Sequence, residues 1–434
     1  MIKMKDSGYS YIGNIPENWE VTRNKNVFSC TKELVGKKSN STQLLSLTTK
    51  GVKEKDINNP EGKLPESFDT YQYVNTNDIV MCLFDLDVSA VFSGISPFNG
   101  MISPAYRVLT CKNNIVPKFA DYWFKYISDG RKFNHYAKNI RYTLNYEDFS
   151  SLPIVFPPLE TQHRIADYLD EKCTKIDEII EKQQAVIEKL KEYKLSVITE
   201  TVTLGLNKNV DLKDSQIAWI GNINNGYSLS RVGAFSFVTK LAGFEYTDTM
   251  VNAISPDETI PIVRAQNVRM FKFNDNNISE YIGEDISKSL QRCALDKKAV
   301  LITFIGAGIG DVCIFDKENR HHLAPNVAKI EIRDEFKNIL LEEFLMYYLG
   351  SYAGKGEIQK ISKASAQPSL SMGTIRGIKI VLPTIKEQYE IVNYLNEKCQ
   401  NIDKLILSKE EVIKRLSEYK KSLIYEVVTG KKEV

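Results

Sequence analysis

The sequence is poor in the residues that build metal, redox and nucleotide-binding sites. Its 434 residues include only four histidines and seven cysteines, and the cysteines are scattered. No C-x-x-C pair and no cysteine–histidine cluster at zinc-ligand spacing occurs, which excludes the common zinc and dithiol patterns. No G-x-x-x-x-G-K-S/T loop is present, which argues against ATP binding of that type. We therefore predict no catalytic residue, no metal site and no cofactor bound by this chain.

Two features resemble catalytic motifs only at first sight. The stretch FIGAGIGD at 304–311 has its third glycine one residue too early for a dinucleotide-binding loop, and a strand-like VCIF follows it. A glycine-rich hairpin is the better interpretation. His135 and His163 stand alone, and His321 and His322 would point to opposite sides of a strand. Neither a metal site nor a catalytic triad is predicted from them.

Long apolar runs are also missing. No stretch of about 18 apolar residues could span a bilayer, and the N-terminal MIKMKDSGYSYIGN lacks a signal-peptide pattern. We expect a cytoplasmic protein with reduced, mostly buried thiols and without a membrane partner.

Net charge of one sign is nearly absent, because 57 Lys and Arg residues face 55 Asp and Glu residues. The charge is unevenly distributed, however. Residues 107–141 carry eight basic and two acidic side chains, and residues 351–379 carry five basic and one acidic. These two basic segments lie at equivalent places upstream of a repeated segment. Their matching positions favour nucleic-acid binding over a merely solvated surface.

The chain contains an internal repeat with a shift of 226 residues. Residues 155–203 match residues 381–429 at 23 of 49 positions without a gap. Each copy begins with a proline-containing exit, VFPPLETQ at 155–162 and VLPTIKEQ at 381–388. Proline cannot continue a strand ladder, and Glu and Gln suit a first helical turn. Each copy is therefore predicted to form one long helix.

Apolar residues in both copies recur at spacings of mainly three and four, which is the period of a coiled-coil seam. One layer is polar in both copies, with Gln183 in the first and Lys409 in the second, and such a layer can restrict register and partner choice. The predicted seam residues are Leu169, Ile176, Ile180, Gln183, Ile187, Leu190, Leu395, Ile402, Ile406, Lys409, Ile413 and Leu416.

The two helices are predicted to pair with each other in antiparallel orientation. A helix of about 40 residues is about 60 Å long, whereas a compact domain of about 170 residues has a radius of gyration of about 15 Å. A parallel pair would require the intervening segment to bring the chain back along the whole helix. An antiparallel pair only requires it to turn round, with one globular domain at each end. Cys173 and Cys399 would then lie at opposite ends of the pair.

The segments before the two helices also resemble each other. DSGYSYIGNIP at 6–16 is echoed by DSQIAWIGNIN at 214–224, and FADYWFKYI at 119–127 by FLMYYLGSY at 344–352. Short strand-like runs separated by Gly, Pro and Asn turns indicate mixed domains. The predicted fold is α+β, with two mixed α/β globular domains joined by a long antiparallel two-helix coiled coil and related by a pseudo-twofold internal repeat. The predicted bounds are 1–153 for the first globular domain, 154–206 for the first helix segment, 207–378 for the second globular domain and 379–434 for the second helix segment.

Four motifs together resemble the specificity subunit of type I restriction-modification systems. They are GNIPENWEV at 13–21, PPLETQHRIADYLDEKCTKID at 157–177, LPTIKEQYEIVNYLNEKCQNID at 382–403, and IYEVVTGK at 424–431, which ITETVTLG at 198–205 echoes. Each motif alone is a modest signal, but their order and duplicated spacing are specific and cover nearly the whole chain. The second domain departs from the pattern, because its GNINNGYSL lacks the proline and tryptophan of the first copy and Thr384 stands where the first copy has Pro158.

The resemblance implies two target recognition domains, each for one half of an asymmetric bipartite target in double-stranded DNA, and a coiled coil that sets the spacer. It also implies a non-catalytic role. Two modification (methyltransferase) subunits and the restriction/translocase subunits would dock on the coiled coil. S-adenosylmethionine, ATP and Mg are accordingly expected on those partner subunits.

Base contacts are predicted in loops rich in polar and basic side chains, because Arg, Lys, Gln and Asn pair well with guanine or adenine edges. The base-contact candidates are Thr48, Lys50, Lys138, Arg141, Asn145, Arg264, Gln266, Asn267, Lys363 and Gln367. Other basic side chains would contact phosphates, which positions a protein without reading sequence. The phosphate-contact candidates are Lys125, Arg131, Lys132, Lys355 and Lys360.

Two other functions remain open from the sequence. A coiled-coil scaffold that never touches DNA would share the helix repeat, and salt-dependent binding to random duplex would distinguish it. A specificity subunit of a methylation-only system would have the same chain, because the partner genes decide whether a restriction subunit exists.

Overall fold

The computed structural model describes residues 3–49, 51–56, 65–87, 92–137, 142–306, 308–362 and 369–434. Two helices dominate it, the first long helix at Leu159–Leu204 and the second long helix at Ile385–Val428. The chain divides into two compact units. The first unit comprises Met1–Gln184 with Glu410–Val434, and the second comprises Ala185–Lys409. Each unit therefore combines one globular segment with parts of both long helices.

The globular part of the first unit is built from short antiparallel strands and few helices. Its central sheet has four strands in the order Phe28–Ser29, Arg107–Cys111, Ile79–Met81 and Ser93–Ile95. The other strands are Met4–Asp6, Asn14–Pro16, Glu20–Arg23, Leu45–Thr48, Gly51–Glu54, Gln72–Val74, Gly100–Ile102 and Pro153–Phe156. The helices and helical turns are Asn24–Val27, Gly36–Ser41, Pro117–Ser128, Lys132–Tyr136 and Tyr146–Ser151.

The globular part of the second unit repeats this sheet and adds a second one. The repeated sheet has the order Ser236–Lys240, Val327–Ile332, Ala299–Thr303 and Val312–Phe315, and the added sheet has the order Tyr281–Ile282, Ile260–Val263, His321–Leu323 and Ala294–Leu295. The other strands are Leu212–Asp214, Asn222–Asn224, Ser228–Arg231, Val268–Arg269, Lys272–Phe273 and Lys379–Leu382. The helices and helical turns are Val232–Phe235, Gly243–Glu245, Tyr246–Met250, Val251–Ala253, Ala265–Asn267, Glu284–Ser289, Gln291–Cys293, Asp334–Phe336, Glu342–Gly350, Tyr352–Ser362 and Met372–Gly377.

The glycine motif at 304–311 connects two antiparallel strands, Ala299–Thr303 and Val312–Phe315. Gly306 and Gly310 have φ angles of +99° and +86°, in the left-handed region where a glycine is favoured. The hairpin interpretation of this motif is therefore confirmed.

One aromatic helix in each unit forms the centre of the core. The first aromatic helix, Pro117–Ser128, buries Phe119, Trp123 and Phe124 completely. The second aromatic helix, Glu342–Gly350, does the same with Phe344 and Tyr348. These are the two helices that the echo between FADYWFKYI and FLMYYLGSY predicts.

The long helices pack against each other in opposite directions. In the first unit, Leu169 near the start of the first long helix shares a core with Val427 near the end of the second. In the second unit, Ile198 near the end of the first long helix shares a core with Leu395 near the start of the second. The antiparallel pairing is therefore as predicted.

Two interhelical ion pairs give the pairing a single register. Lys420 Nζ lies 2.6 Å from a carboxylate oxygen of Asp177 in the first unit, and Lys194 Nζ lies 2.8 Å from Asp403 in the second. The repeat relates these pairs, because 177 + 226 = 403 and 194 + 226 = 420. The residue numbers of both pairs sum to 597, as one antiparallel register requires. Since exposed ion pairs contribute only about 0–1 kcal/mol, these pairs serve register more than stability.

The seam is tightest near the globular segments. Leu169 and Leu395 are fully buried, whereas Ile180, Gln183, Leu190, Ile406, Lys409, Ile413 and Leu416 are only half-buried. The remaining seam residues, Ile176, Ile187 and Ile402, are buried with 3–6% exposure. The central part of each long helix therefore leaves apolar surface open.

Truncating either fully buried seam leucine should destabilise the unit that contains it. We expect Leu169→Ala and Leu395→Ala each to cost about 2–5 kcal/mol, because each leaves a cavity in a closed core. Hydrogen exchange read by mass spectrometry should show faster exchange in the first unit for Leu169→Ala and in the second for Leu395→Ala. Leu212→Ala, at a leucine that is 49% exposed, is the control and should change stability by less than about 0.5 kcal/mol. A cost below about 1 kcal/mol for both core variants would contradict this packing.

Among the described residues, no helix combines the length and the apolar character needed to cross a membrane.

Candidate nucleic-acid interface

An open groove of about 1070 Å³ lies in the first unit between the globular segment and the long helices. It collects three predicted DNA contacts, Thr48, Lys125 and Arg131. Among the residues that the structure describes, four basic and four acidic side chains line it, and their charges cancel. They are Lys125, Arg131, Lys420, Lys421, Asp121, Asp129, Asp177 and Glu181.

Most of the groove's cations are already paired. Lys125 Nζ lies 2.7 Å from Asp121, and Lys421 Nζ lies 2.6 Å from Asp129. Lys125 also stacks on the ring of Tyr122, with Nζ 4.6 Å from the centroid. These contacts hold Lys125 to its own helix, so it can contact a phosphate only if it leaves Asp121.

Arg131 differs from the paired lysines of the groove, because its side chain is exposed and has no ionic partner among the described residues. It follows Gly130 in a turn. The φ angle is +51° at Arg131 and +110° at Gly130. A left-handed conformation is uncommon for arginine and indicates that the surrounding turn enforces it. Within the described ranges, Arg131 has no ion pair and no side-chain hydrogen bond. A guanidinium presented in this way suits a phosphate or a guanine edge.

The neighbouring Lys132 has a structural role. Its Nζ donates to the carbonyl oxygens of Tyr126 at 2.9 Å and Asp129 at 3.0 Å, and it lies 4.1 Å from the centre of the Tyr126 ring. Burial lowers the pKa of this amine. Lys132 thus closes the end of the first aromatic helix, which argues against the phosphate contact that the sequence predicts.

Two base-contact candidates of the first unit also serve the local backbone. The Thr48 hydroxyl donates to the carbonyl oxygen of Gly51 at 2.8 Å, across a strand hairpin. Asn145 caps the helix Tyr146–Ser151, since its Oδ1 accepts from the backbone N–H of Asp148 at 2.7 Å. The repeat supplies the same cap in the second unit, where the Ser371 hydroxyl accepts from the N–H of Thr374 at 3.0 Å. Asn145 is therefore better explained as a helix cap than as a base contact.

The turn RAQNVR at 264–269 in the second unit is braced by its own side chains. Arg264 Nε donates to Glu280 at 2.6 Å. Asn267 is 1% exposed, accepts from the N–H of Arg264 at 2.8 Å and donates to the carbonyl of Asn274 at 2.9 Å. These contacts argue against the base contact that the sequence predicts for Asn267, because its amide is buried and bonded at both ends. Gln266 is exposed and donates only to the carbonyl of Asn277, at 3.1 Å.

The helix Tyr352–Ser362 carries the two phosphate candidates of the second unit. Lys360 is exposed, and its Nζ lies 5.1 Å from the centre of the Trp219 ring. Lys355 is half-buried, which lowers the pKa of its amine, and the carboxylate of Asp311 opposes this effect. Burial in turn raises the pKa of Asp311, against the attraction of Lys355 and Arg269. This mixed cluster beside the glycine hairpin did not stand out in the sequence, because its members lie far apart in the chain.

Five base-contact candidates lie outside the described residues. They are Lys50, Lys138, Arg141, Lys363 and Gln367.

Large exposed apolar residues on the two long helices also repeat with the shift of 226 residues, and sequence reasoning missed them. Ile179, Val186 and Tyr193 are 42%, 39% and 48% exposed on the first long helix. Their counterparts on the second are 51%, 37% and 53% exposed, and they are Leu405, Val412 and Tyr419. The signal was present in the sequence, because large apolar side chains recur every seven residues in both copies. We call these two sets the heptad stripes.

No three His, Cys, Asp or Glu side chains gather into a possible metal site in the part of the chain that the structure describes. His322 is fully buried, and its ring nitrogens Nδ1 and Nε2 lie 3.0 Å from the backbone carbonyl oxygen of Leu323 and 3.2 Å from that of Leu290, of which the neutral ring donates to one. Burial lowers its pKa. This histidine therefore belongs to the core.

A duplicated α+β domain mounted on paired long helices, with basic side chains in its loops, is the architecture of a recognition protein. Comparison with known proteins is consistent with that class. The family model described as the type I restriction modification DNA specificity domain matches the chain twice, over residues 16–189 and 244–415. The chain belongs to this family.

Individual relatives agree with the family model. The specificity subunit of the type I restriction enzyme MjaVIII of Methanocaldococcus jannaschii is 24% identical over 370 residues, which cover 82% of this chain and 80% of the relative. The putative MjaX specificity subunit of the same organism is 23% identical over 435 residues, which cover 97% of this chain and 95% of the relative. A chain in a solved structure of a type I restriction-modification system, described by its complex assembly and conformational transition, has a TM-score of 0.70 at 14% identity and covers 96% of this chain and 99% of its own. The two Methanocaldococcus relatives are named specificity subunits, not methyltransferases or nucleases, and the chain is correspondingly a non-catalytic DNA-recognition subunit.

Proposed function

We propose that the two globular segments each contact one half of an asymmetric, bipartite DNA target, and that the long helices set the spacer and dock the catalytic subunits. The observation that carries this proposal is that the framework is duplicated whereas the loops that carry candidate DNA contacts are not. The ion pairs Asp177–Lys420 and Lys194–Asp403 repeat, as does the cap at Asn145 and Ser371. The loops around Arg131 and Arg264 do not repeat. Two alike frameworks with unlike loops suit two different half-sites.

The proposed DNA contacts differ in strength of support. In the first unit, Arg131 is favoured as a direct contact because it is exposed and unpaired among the described side chains, and Thr48 and Lys125 line the same groove. In the second unit, Gln266 and Lys360 are exposed. Phosphate contacts by such cations make binding fall steeply with salt. Lys50, Lys138, Arg141, Lys363 and Gln367 stay sequence-based predictions.

The heptad stripes support docking of a helical partner. Ile179, Val186 and Tyr193 each directly precede a position of the interhelical repeat, namely 180, 187 and 194. Together with the seam, these three residues form an apolar face that is wider than a two-stranded coiled coil needs. Its width is typical of helices in a larger bundle. Because the stripe occurs once on each long helix, two copies of the same partner fit, as two modification subunits would.

The chemistry belongs to those partners in this proposal. S-adenosylmethionine, ATP and Mg would be bound by the modification and restriction/translocase subunits, and this chain would work beside the chromosome in the cytoplasm. Its contribution would be the choice of target.

Methylome sequencing of the host with and without the gene tests the proposal. We expect one bipartite motif with methylated adenines to disappear when the gene is deleted and to return when the gene is restored. Electrophoretic mobility shifts with the purified chain should also reveal binding to random duplex that weakens steeply as salt rises, since phosphate contacts release counterions. An unchanged methylome, together with no binding to DNA, would leave a coiled-coil scaffold as the function.

A further inference from the structure

Each long helix is fastened to its globular segment by a buried glutamine. Gln162, in the first turn of the first long helix, is 0% exposed. Its Oε1 accepts from the backbone N–H of Val116 at 2.9 Å. Its Nε2 donates to the carbonyl oxygens of Pro157 at 2.9 Å and Asn114 at 3.3 Å. Val116 immediately precedes the first aromatic helix, so one amide joins the strand exit, the long helix and the aromatic helix.

The repeat places the same arrangement in the second unit. Gln388 is also 0% exposed. Its Oε1 accepts from the N–H of Leu341 at 3.0 Å, and its Nε2 donates to the carbonyls of Ile339 at 2.8 Å and Pro383 at 3.0 Å. Leu341 immediately precedes the second aromatic helix. All three hydrogen bonds of the first unit are therefore reproduced with equivalent partners.

A second tie follows two turns later on each long helix. The Tyr122 hydroxyl donates to Asp170 Oδ1 at 2.9 Å in the first unit, and the Tyr347 hydroxyl donates to Asn396 Oδ1 at 2.7 Å in the second. Asp170 and Asn396 lie eight residues beyond their glutamines. Two ties at separate points fix not only the distance between an aromatic helix and its long helix but also the angle between them.

We propose that Gln162 and Gln388 are positioning residues, which act through Val116 and Leu341 to fix the angle at which each globular segment is held on its long helix. This proposal rests on the proposed function for its consequence: a fixed angle makes the protein reject DNA whose spacer is one base pair too long or too short. The physical reason is that a fully buried amide with three hydrogen bonds tolerates little displacement, since any movement leaves buried donors or acceptors unpaired. The ion pairs Lys118–Asp170 and Lys421–Asp129 also join the globular segment to the long helices of the first unit, but their lysine side chains are more than half exposed and can move.

Distance measurement by pulsed electron paramagnetic resonance on the full chain tests the positioning directly. Spin-labelled unnatural amino acids at the exposed positions Glu147 and Lys182 report on the globular segment and the long helix of the first unit. We expect a narrow distance distribution in the parent chain and a clearly broader one in Gln162→Met, which keeps the length of the side chain and removes its hydrogen bonds. Gln388→Met is the matched control, because it should leave this distribution unchanged. The gentler Tyr122→Phe, which removes only the second tie, should broaden it to a smaller extent.

The affinity of the full chain for DNA gives the functional readout. Three duplexes carry the half-sites found by methylome sequencing, one with the natural spacer, one with a spacer one base pair longer and one with a spacer one base pair shorter. The parent chain should reject the wrong spacers by about tenfold or more, comparable with the loss of one base contact. Gln162→Met and Gln388→Met should each lose most of that discrimination while keeping the preference for the half-site bases.

Five outcomes separate the possibilities. Broader distances with lost spacer discrimination support the proposal. Unchanged distances in both Gln162→Met and Tyr122→Phe overturn it, as does equal weakening of binding on all three spacers. If Gln162→Met does not fold, the distance distribution of Tyr122→Phe and the spacer discrimination of Gln388→Met decide the question. If the parent chain binds no bipartite DNA while the distances broaden as expected, the positioning role stands and the proposed function fails.

Discussion

Replacing Tyr193 and Tyr419 with glutamate is expected to weaken the docking of helical partner subunits strongly while both units stay folded. These tyrosines are 48% and 53% exposed in the isolated chain, so their substitution leaves no cavity. In a bundle they would become buried, and burying a large apolar side chain stabilises by roughly 1.5–3 kcal/mol. Since about 1.4 kcal/mol is a factor of ten in affinity, each substitution should weaken one docking site by about ten- to a hundredfold.

Analytical ultracentrifugation with the purified modification subunit measures this effect as a stoichiometry. The parent chain should bind two copies, each single variant one, and the double variant none at the same concentrations. Tyr389→Glu is the matched control, because Tyr389 is 56% exposed on the second long helix but lies outside the heptad stripe. Two bound copies in the double variant would show that the partner uses another surface.

Lengthening both long helices by four residues is expected to lengthen the DNA spacer by one base pair and to leave both half-sites unchanged. Gln184 and Ile413 have numbers that sum to 597, the register of the two ion pairs, so insertions between 184 and 185 and between 412 and 413 keep the helices matched. Four residues add about 6 Å and a rotation of about 40° beyond a full turn. One base-pair step rotates DNA by about 34°, since a turn takes about 10.5 base pairs. The extra rotation of about 40° is closer to the twist of one base-pair step than to that of two. The rotational position of the globular segment on the DNA matters more than its distance along the DNA, because a loop that is rotated away from the groove misses the base edges.

The control for this change is a four-residue insertion after Asn209, which is exposed and lies outside both long helices. It should leave the spacer unchanged. Methylome sequencing of strains with each variant gives the spacer and half-sites at once. A change in the bases of either half-site, or an unchanged spacer, would contradict the proposal that the helices measure distance.

Sequence patterns were sufficient for the architecture because they extend over many residues. The repeat at a shift of 226 and the seam spacing predict two long helices, and the connection lengths predict their antiparallel pairing, which Leu169 with Val427 and Ile198 with Leu395 confirm. The unit bounds could not be predicted in the same way. Compactness divides the chain inside the long helices, at 184/185 and 409/410, because each globular core includes parts of both helices.

Single polar residues were harder to interpret. Asn145 and Asn267 carry the amide that suits adenine, but the same amide caps a helix or braces a turn, and the structure uses both side chains in that second way. Gln162 looked like an ordinary first-turn residue, since its hydrogen bonds reach a segment 46 residues away. Its identity in both copies of the repeat was the available signal. Chemistry that depends on distant backbone partners leaves little trace in local sequence.

The duplicated glutamine joints also have an evolutionary consequence. At each joint the glutamine bonds to backbone groups of the globular segment, at Val116 and Leu341, and many different side chains at these positions would supply the same groups. A recombination event with crossovers in the repeated segments would exchange one globular segment for another and retain the joint. New combinations of half-sites would then arise without any adjustment of the helices or of the subunits that dock on them.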